Sequence, residues 1–527
     1  MGRKKDVIYK NGRFAGKYLD EETCNKLERL ISLNKNNKFI TDLKHIIYDL
    51  SPSQIEEIKS IYPLEAEIEK SEGVLENHQT LGVAFMFFAK RMILGDSVGM
   101  GKTVEVCGLC NLLESSMQDR EEPFRFLFLT EKTAVEEIRN KMIQFTGNYV
   151  GTVYGEKPKV QKFVQENSDE LHYSVVGSHS LLKSKDFQEY MRFFYEEVGY
   201  NPFDIIIIDE SGDILCNPKT QYYKDGKYIA DMFKRVILLN ATPFEKQLSN
   251  FYSQLNFLDD TLLPTKTNFE SEYVIMSYTG PYPTPSGKYR NSDKFRYLVG
   301  YRYFARTRKS TGAIMKDCTA EVKVTSLSKE QRYLLDKVSM PHMVYECPSY
   351  FRMGVETNLE TTPKLKELIN IITGEWKDVS SILVYSFYKE SQAVIQRVLA
   401  EHGIESEIMN GSFSQQEREV LINKFKLGDT RILITNVQKS LDFGNCSHCI
   451  FYSYDSSPNK MVQFEGRMTR EYNIIDKHVI LLVSKGDELR NLKKIVADRA
   501  QASDVFAGSD FSCVLSILLN KDKLNKL

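Results

Sequence analysis

Short apolar runs recur along this chain, and most are followed by a polar or glycine-rich turn and then by residues with helical spacing. The clearest runs lie at residues 126–129, 205–208, 236–239, 382–385 and 432–435. A continuous apolar run of this length is typical of a strand that is buried on both faces of a parallel sheet. The repeated order of strand, loop and helix therefore predicts an α/β fold with doubly wound parallel sheets.

The repeats fall into two groups, which predicts two tandem lobes. A chain of 527 residues also exceeds the ~250 to 300 residues at which a single hydrophobic core stops growing. We expect a small accessory N-terminal domain (1–70), a first lobe (71–262), an inter-lobe region (263–360), a second lobe (361–500) and a C-terminal tail (501–527). Within the inter-lobe region, PYPTPSG (281–287) predicts an exposed loop between helices.

Composition indicates which cell compartment and which kinds of partner suit this protein. The net charge of -1 gives the whole molecule no attraction to nucleic acid, so any such binding must be local. No run approaches the ~18 apolar residues needed to cross a membrane, and nine cysteines without a secretory leader favour a reducing compartment. We therefore expect a soluble, intracellular protein without membrane contact.

Two Cys-x-x-Cys pairs raise the question of a metal site. Cys107 and Cys110 fall on a predicted helix, and Cys446 and Cys449 lie near the start of a predicted strand. These positions favour buried thiols over zinc ligands, so we predict no zinc site.

Residues 95–103 read GDSVGMGKT, which has the composition of a phosphate-binding loop. Such a loop needs glycines because backbone N–H groups must approach the phosphate oxygens closely. It also needs a lysine to meet the β and γ charges and a hydroxyl to bind magnesium. Gly99, Gly101, Lys102 and Thr103 are the candidates for these roles.

A pair of carboxylates, Asp209 and Glu210, follows the isoleucine run at 205–208. In an α/β sheet the carboxyl end of a buried strand lies at the ligand-binding edge. Loop and carboxylates together predict hydrolysis of a nucleoside triphosphate, with Asp209 holding Mg²⁺ and Glu210 orienting the attacking water. Gln79 lies shortly before the loop and suits a residue that reads adenine.

Arg467 and Arg470 are the candidate cations of the second lobe. They lie three residues apart on one face of a predicted helix, after Gln463 and Gly466. An exposed pair of this kind can supply charge to the transition state of a triphosphate, as an arginine finger does.

Several segments, in this order along the chain, resemble the superfamily 2 helicase and translocase ATPases, and most closely their Swi/Snf branch. They are IIIIDESG (205–212), VILLNATPFEKQLSNFYSQLNFL (236–258), RTRK (306–309), NGSFSQQER (410–418) and QFEGRMTR (463–470). The resemblance covers residues 75 to about 485. It implies two RecA-like lobes with ATP and magnesium in the cleft, and duplex DNA lying across both lobes.

The resemblance also implies a role for each matching residue. It assigns adenine contact to Gln79, phosphate and metal contact to Lys102 and Thr103, metal and water to Asp209 and Glu210, finger roles to Arg467 and Arg470, coupling to Thr242 and Gln463, and contact with the backbone of the tracked strand to Lys132, Ser178, Ser412 and Thr435. Thr103 and Asp209 are thus the expected magnesium ligands.

Some positions depart from the family's pattern. Gly212 stands where a histidine is usual, which implies looser or differently arranged coupling of hydrolysis to DNA. Ser440 and Asp442 stand where small glycines are expected, which weakens the expectation of DNA contact there. Asp96 replaces the first glycine of the strict phosphate-loop pattern, as is common in this branch.

The resemblance implies a DNA-stimulated ATPase that translocates on double-stranded DNA and remodels DNA or DNA-bound protein. A helicase that separates strands or migrates branches would use the same chemistry, and a wedge hairpin would distinguish it. An ATP-switched DNA-binding protein without productive translocation is the alternative from another class, and a translocase acting on RNA polymerase is a further one. Residues 1–70 are a candidate surface for a protein partner. Without a chromatin-reading module in the sequence, a prokaryotic or virus-infected cytoplasm is favoured over a nucleus.

Overall fold

The computed structural model describes most of the two predicted lobes. The described residues are 13, 15–36, 75–117, 120, 123–241, 248–263, 265–278, 284–306, 318–338, 349–357, 361–437, 443, 446–454, 461, 464, 468 and 476–493. They divide into two compact units, one within residues 1–313 and one within residues 314–500. Each unit is built on a parallel β-sheet flanked by helices, so the predicted fold class is confirmed.

The elements of the first unit alternate between strand and helix, as the apolar pattern predicts. Its strands are β1 (Arg91–Leu94), β2 (Phe126–Thr130), β3 (Val150–Val153), β4 (Ser174–Ser178), β5 (Ile205–Ile208), β6 (Arg235–Leu239), β7 (Val274–Ser277), β8 (Thr284–Tyr289) and β9 (Tyr303–Phe304). Its helices are α1 (Glu21–Asn36), α2 (Asn77–Ala89), α3 (Lys102–Ser115), α4 (Val135–Thr146), α5 (Lys157–Glu166), α6 (Lys185–Arg192), α7 (Ser211–Leu215), α8 (Gln221–Ala230), α9 (Leu248–Leu258), α10 (Lys266–Tyr273) and α11 (Ser292–Val299).

Seven strands of the first unit form one parallel sheet in the order β3-β4-β2-β5-β6-β1-β9. The isoleucine strand β5 lies between β2 and β6, and its side chains are fully buried. Ile206 and Ile208 pack into the core on one face, and Ile205 and Ile207 pack into the core on the other. A strand covered on both faces has no position for a polar side chain, which explains the unbroken apolar run.

Arg91, at the start of β1, is fully buried. Its guanidinium donates hydrogen bonds to the carbonyl oxygens of Leu258 (2.8 Å), Ala230 (3.0 Å) and Phe233 (2.7 Å). Leu258 and Ala230 are the last residues of α9 and α8, whose terminal carbonyls lack intrahelical partners. One buried cation thus joins the first residue of β1 to the ends of two helices.

The second unit has the same alternation. Its strands are β10 (Cys318–Thr325), β11 (Ile382–Ser386), β12 (Glu407–Met409), β13 (Ile432–Thr435), β14 (His448–Ser453) and β15 (Lys477–Ser484), and its helices are α12 (Lys329–Val338), α13 (Ser349–Thr357), α14 (Pro363–Asn370), α15 (Lys389–Glu401) and α16 (Gln415–Leu427). The strands form a parallel sheet in the order β10-β15-β14-β11-β13-β12. The predicted strands at 382–385 and 432–435 are its central members.

The region expected between the lobes is divided by the structure between the two units. Strand β9 pairs with β1 in the first sheet, and strand β10 pairs with β15 in the second. The segment 281–287, expected to be a loop, overlaps strand β8, which forms an antiparallel hairpin with β7.

The N-terminal residues that the structure describes belong to the first unit. Cys24, Leu27 and Leu30 of α1 are fully buried in the core that also holds residues of α2. This part of the expected accessory domain therefore packs on the first lobe. No helix among the described residues is long and apolar enough to cross a membrane.

Candidate active site

The phosphate loop joins β1 to α3 at the carboxyl edge of the first sheet. Gly99 and Gly101 have φ angles of 85° and 79°, a left-handed conformation in which a side chain would be strained. A Cβ atom added at Gly101 would also lie 2.3 Å from Nε2 of Gln79. Both glycines are therefore required by the backbone path, and Lys102 and Thr103 are placed at the first turn of α3.

The Lys102 ammonium lies among oxygen atoms. Nζ donates to the carbonyl oxygens of Asp96 (2.6 Å) and Ser97 (3.1 Å) at the start of the loop. Burial lowers the pKa of Lys102, and the carboxylates of Asp96, Glu210 and Asp209 oppose that shift. The charge of Lys102 is thus held within electrostatic reach of both predicted catalytic carboxylates.

Asp209 and Glu210 follow β5, as predicted. Oδ2 of Asp209 accepts a hydrogen bond from Oγ1 of Thr130 (3.2 Å), at the end of the neighbouring strand β2. Its backbone carbonyl lies 2.8 Å from Nε2 of His179, which follows β4. Carboxyl ends of three adjacent strands therefore fix the position of Asp209.

Glu210 has an unusual backbone conformation. Its φ and ψ angles are 45° and 43°, in the left-handed region that residues other than glycine rarely adopt. Such a conformation costs ~1 kcal/mol or more and persists where the surroundings fix it. The turn ends β5 abruptly and starts α7, so the Glu210 side chain leaves the sheet at its ligand-binding edge.

Gln79 contacts the phosphate loop. Nε2 donates to the Met100 carbonyl (3.3 Å), while Oε1 accepts from the backbone N–H of Glu76 (2.9 Å) at the start of α2. Both ends of the amide are thus bonded within the protein, and the side chain is buried. The role of Gln79 in reading adenine stays a prediction. The structure shows in addition that Gln79 contacts the phosphate loop through Met100.

Arg306 forms a buried ion triad with Asp96 and Glu105 beside the loop. Its backbone N–H (2.8 Å) and Nε (3.1 Å) donate to Oδ1 of Asp96, and Nη2 donates to Oδ2 of Asp96 and to Oε2 of Glu105 (2.7 Å). Burial and the nearby Asp96 carboxylate raise the pKa of Glu105 well above its usual range, although Arg306 opposes that shift.

Sequence reasoning missed this triad, but a signal for it exists. Glu105 lies in the otherwise apolar run VEVCGLC (104–110) of α3, and a carboxylate buried in such a run requires a partner.

These residues fit a magnesium–nucleoside triphosphate. Two glycines bring the backbone N–H groups of the loop and of the first turn of α3 to one concave edge, which is the usual anion-binding arrangement. Lys102 supplies a cation, and Thr103 and Asp209 supply oxygen ligands of the kind that Mg²⁺ prefers. Lys102, Thr103 and Asp209 are accordingly the residues that would hold the metal and the phosphates.

The four candidate nucleic-acid contacts differ in accessibility. Lys132 is exposed and forms an ion pair with Glu156, and Ser412 is exposed in the turn before α16. Ser178 is buried, and its Oγ lies 2.8 Å from Oγ of Ser180 and accepts from the N–H of Gly155 (3.1 Å). Thr435 is also buried at the end of β13.

The remaining candidates lie outside the described residues. They are Thr242, Gln463, Arg467 and Arg470, together with the departures Ser440 and Asp442. Their assigned roles stay predictions.

The two Cys-x-x-Cys pairs are buried in the cores of their units. Burial raises the pKa of Cys107 to about 12 and that of Cys446 to about 11, which favours the protonated thiols. Sγ of Cys446 lies 3.1 Å from the carbonyl oxygen of His448.

Family models match both units of the chain. A "SNF2-related domain" matches residues 78–374, and a "Helicase conserved C-terminal domain" matches residues 363–471. The solved "SWI2/SNF2 ATPase core in complex with dsDNA" of Sulfolobus solfataricus aligns with 86% of this chain and 97% of its own, at 16% identity and a TM-score of 0.39.

Curated relatives include two from Bacillus subtilis (strain 168). The "Uncharacterized ATP-dependent helicase YqhH" is 21% identical and covers 89% of this chain and 83% of its own length. The "Putative ATP-dependent helicase/translocase YwqA" is 22% identical and covers 72% of this chain, but this chain spans only 43% of it. The "DNA repair protein rhp54" of Schizosaccharomyces pombe is 23% identical and covers 70% of this chain, while this chain spans 44% of it.

The SNF2-related model covers more than half of the chain, and the helicase model follows it in the order that the motifs predict. The phosphate loop and the paired carboxylates lie together at one sheet edge, as an ATP-hydrolysing site requires. This protein therefore belongs to the SNF2-related, Swi/Snf-like branch of the superfamily 2 helicases, and it is an ATPase of the helicase and translocase type with two tandem RecA-like lobes.

Proposed function

We propose that this ATPase is a DNA-stimulated motor that translocates on double-stranded DNA and remodels DNA or proteins bound to it. The observation that carries the proposal is the SNF2-related match over residues 78–374, which spans the assembled Lys102, Asp209 and Glu210. The names of the relatives support an ATP-driven helicase or translocase, and rhp54 is a DNA repair protein.

The chemistry follows from the residues at the sheet edge. ATP with Mg²⁺, when bound, supplies the phosphoanhydride bond that is hydrolysed. Lys102 offsets the charge of the phosphates, Thr103 and Asp209 hold the metal, and Glu210 orients the water for attack. Glu210 is suited to this task because its left-handed turn ends β5 beside Asp209. The Asp209 carboxylate accepts from Thr130, and the backbone carbonyl of Asp209 contacts His179.

Four residues outside the described part complete the proposed machinery. Arg467 and Arg470 act as fingers that stabilise transition-state charge, and Thr242 and Gln463 couple the nucleotide to DNA. Replacing either arginine with alanine should lower kcat by ~10³-fold or more if that arginine is a finger. An unchanged kcat in both variants would remove this assignment.

The DNA is bound mainly through its phosphates, because exposed Lys132 and Ser412 belong to segments that match backbone contacts in the family. Duplex or branched DNA is the proposed partner, and residues 1–70 are a further candidate surface for a protein partner. The setting that we propose is intracellular, in a prokaryotic or virus-infected cell.

The first test is steady-state ATP hydrolysis at one low salt concentration with no nucleic acid, single-stranded DNA, duplex DNA, forked DNA and RNA. Strong stimulation by plain duplex is expected. Lys102→Ala should weaken ATP binding, whereas Glu210→Gln should bind ATP without turning it over. Turnover by Glu210→Gln at the parental rate would sink the role assigned to Glu210.

Translocation itself is tested by displacement of a third strand from a DNA triplex, which requires movement along the duplex but no strand separation. We expect ATP-dependent displacement by the parental chain and none by Glu210→Gln. Stimulated hydrolysis without displacement would instead favour an ATP-switched DNA-binding protein.

One observation favours the strand-separating alternative. Tyr278 directly follows β7, which pairs with β8, and this residue is 78% exposed. An exposed aromatic ring can stack on an unpaired base. If the protein is a helicase, it should unwind forked DNA with one labelled strand, and Tyr278→Ala should unwind more slowly while still hydrolysing ATP. Triplex displacement without unwinding would exclude this alternative.

A further inference from the structure

Gly212 leaves a space beside the catalytic carboxylates, and Asn240 fills it. A Cβ atom added at Gly212 would lie 2.5 Å from Nδ2 of Asn240, 3.3 Å from its Cγ and 3.4 Å from its Oδ1. The first distance is shorter than any ordinary van der Waals contact, so a side chain at 212 would displace the Asn240 amide. The Asn240 amide therefore occupies the place that a side chain at 212 would need.

Asn240 is held firmly in this place. It follows β6, and its backbone N–H donates to the carbonyl oxygen of Leu94 (3.1 Å), the last residue of the strand that enters the phosphate loop. Its side chain is 2% exposed, and Nδ2 donates to Oε1 of Gln254 (2.9 Å) on α9. Moving the amide would break a buried hydrogen bond and leave the Gln254 oxygen with one donor fewer.

Gln254 connects Asn240 to the backbone beside Glu210. Oε1 of Gln254 accepts a second hydrogen bond, from Oγ of Ser211 (3.1 Å). Ser211 directly follows Glu210, and both Ser211 and Gln254 are fully buried. A continuous set of buried hydrogen bonds thus runs from the catalytic turn through α9 to the end of β6.

We infer that Asn240, acting through Gln254 and Ser211, is a positioning residue that couples the end of β6 to the Glu210 turn in place of a side chain at 212. The inference rests on the proposed function, because coupling means the increase in ATP hydrolysis that DNA causes. It explains how the end of β6 stays connected to the Glu210 turn although residue 212 is glycine.

The physical reason lies in the strained Glu210 turn. A left-handed residue keeps its conformation only where its neighbours fix it, and Ser211 is the neighbour bonded to the network. A displacement at the end of β6 moves Asn240, then Gln254 and Ser211, and so changes the orientation of Glu210. A buried, satisfied network transmits such a displacement because it has few alternative arrangements.

The test compares kcat and KM for ATP with and without duplex DNA in the full chain. Asn240→Ala and Gln254→Met should each reduce the DNA-stimulated kcat by ~10-fold or more, with a smaller effect on KM for ATP, because positioning acts on the transition state. Ser253→Ala is the matched control: Ser253 is buried on the same helix, but its Oγ donates to Ser249 (3.1 Å) outside the network. It should keep the parental ratio of stimulated to basal kcat.

An exchange of side chains makes the test specific. Gly212→His should lower Tm and DNA stimulation because the imidazole collides with the Asn240 amide, and adding Asn240→Ala should recover part of both losses. Parental stimulation in both Asn240→Ala and Gln254→Met, or an equal loss in Ser253→Ala, would overturn the inference.

Failure of the proposed function is distinguishable from failure of this inference. A parental chain that no nucleic acid stimulates would overturn the proposed motor. In that case basal kcat and Tm are compared between Gly212→His and the double variant that also carries Asn240→Ala. If the double variant has no higher kcat or Tm, the positioning role of Asn240 is overturned.

Discussion

Arg306 shows how much a single buried side chain can contribute at the residue scale. It is 3% exposed, and it pairs with two fully buried carboxyl groups, one in the phosphate loop and one in α3. A Cβ atom added at Gly82 of α2 would lie 1.8 Å from Oε2 of Glu105 and 2.6 Å from Nη2 of Arg306. The triad is therefore enclosed by α2 as well.

Replacing Arg306 with glutamine should be severely destabilising. Removing one partner of a buried ion group leaves uncompensated charge and costs ~3–5 kcal/mol. We expect that loss in the free energy of unfolding, measured with denaturant, and a weaker affinity for ATP because Asp96 lies in the loop. Arg306→Lys should retain part of both. Parental ATP affinity in Arg306→Gln would show that the triad does not support the loop.

Glu356 is a titrating group in the second unit. It lies in a buried cluster in which its carboxylate accepts the N–H groups of Asp487 (2.8 Å) and Glu488 (3.0 Å), while Lys364 pairs with Glu488. Burial raises the pKa of Glu356 from 4.5 to about 7, and the Glu488 carboxylate adds to the shift. Since the pKa is raised in the folded state, the folded protein binds this proton more tightly than the unfolded chain.

Between pH 4.5 and about 7, this carboxyl therefore destabilises the fold as the pH rises. Thermal unfolding as a function of pH should show a loss of ~1–3 kcal/mol across this window that Glu356→Gln lacks. The readout is the slope of the unfolding free energy against pH. Glu405→Gln, an exposed carboxylate of the same unit, should keep the parental slope. An equal slope in Glu356→Gln would contradict the assignment.

The candidate site was predictable from the sequence where its chemistry depends on neighbours along the chain. The phosphate loop and the Asp209–Glu210 pair are fixed by local spacing, and the structure brings them within electrostatic reach of each other. The contacts of Arg306 with Asp96 and Glu105 join residues 210 and 201 positions apart. No local pattern specifies such partners, because they are chosen by the sheet order.

At the scale of elements, caps and turns determine where the segments around the site begin. Helix α16 begins with a capping box in which Oγ of Ser414 accepts from the N–H of Glu417 (3.4 Å), and the Glu417 carboxylate accepts from the N–H of Ser414 (2.7 Å). Ser412, a proposed DNA contact, lies two residues before this cap.

Ser414→Ala should lower the free energy of unfolding of the second unit by ~1 kcal/mol, because one helical N–H loses its acceptor. Ser414→Asp keeps an acceptor and should restore most of the loss. Chemical denaturation of the three proteins provides the measurement. Equal stability of Ser414→Ala and the parent would mean that solvent satisfies this helix end equally well.

The hairpin of β7 and β8 shows why one element was not predicted correctly. PYPTPSG has the composition of a loop, yet Pro285 lies opposite Met276 in the hairpin. Proline is tolerated in a strand whose N–H side has no partner, and a two-stranded sheet offers such edges on both sides. The buried strands were predictable because their apolar runs have no other stable environment.

At the scale of the whole molecule, each unit has its own core, and the boundary between them falls within the region expected to connect two lobes. Strand β9 consists of two residues, Tyr303 and Phe304, and strand β10 alternates charged and apolar residues in the sequence CTAEVKVT. Neither has a long apolar run, so the sequence pattern does not place them in the sheets. Their positions follow from pairing with strands distant in sequence.

The net charge of -1 makes DNA binding depend on local cations. Lys132 is paired with Glu156 in the structure, and that pair must open if Lys132 is to contact a DNA phosphate. Glu156→Gln should therefore raise the affinity for duplex DNA, while Lys132→Ala should lower it and reduce the slope of log affinity against log salt by ~1. Lys266→Ala, which removes a lysine of α10, is the control. A salt-independent affinity would argue against backbone contacts.

Strand β1 is held at both ends by buried arginines. Arg91 joins its first residue to the ends of α8 and α9, and Arg306 holds Asp96 just beyond its last residue. Because contacts fix both of its ends, β1 should move less than the neighbouring turns during the ATPase cycle. We expect the conformational change that follows hydrolysis to leave β1 in place and to occur in the turns after β4, β5 and β6. A rigid β1 would then restrict the direction of that movement.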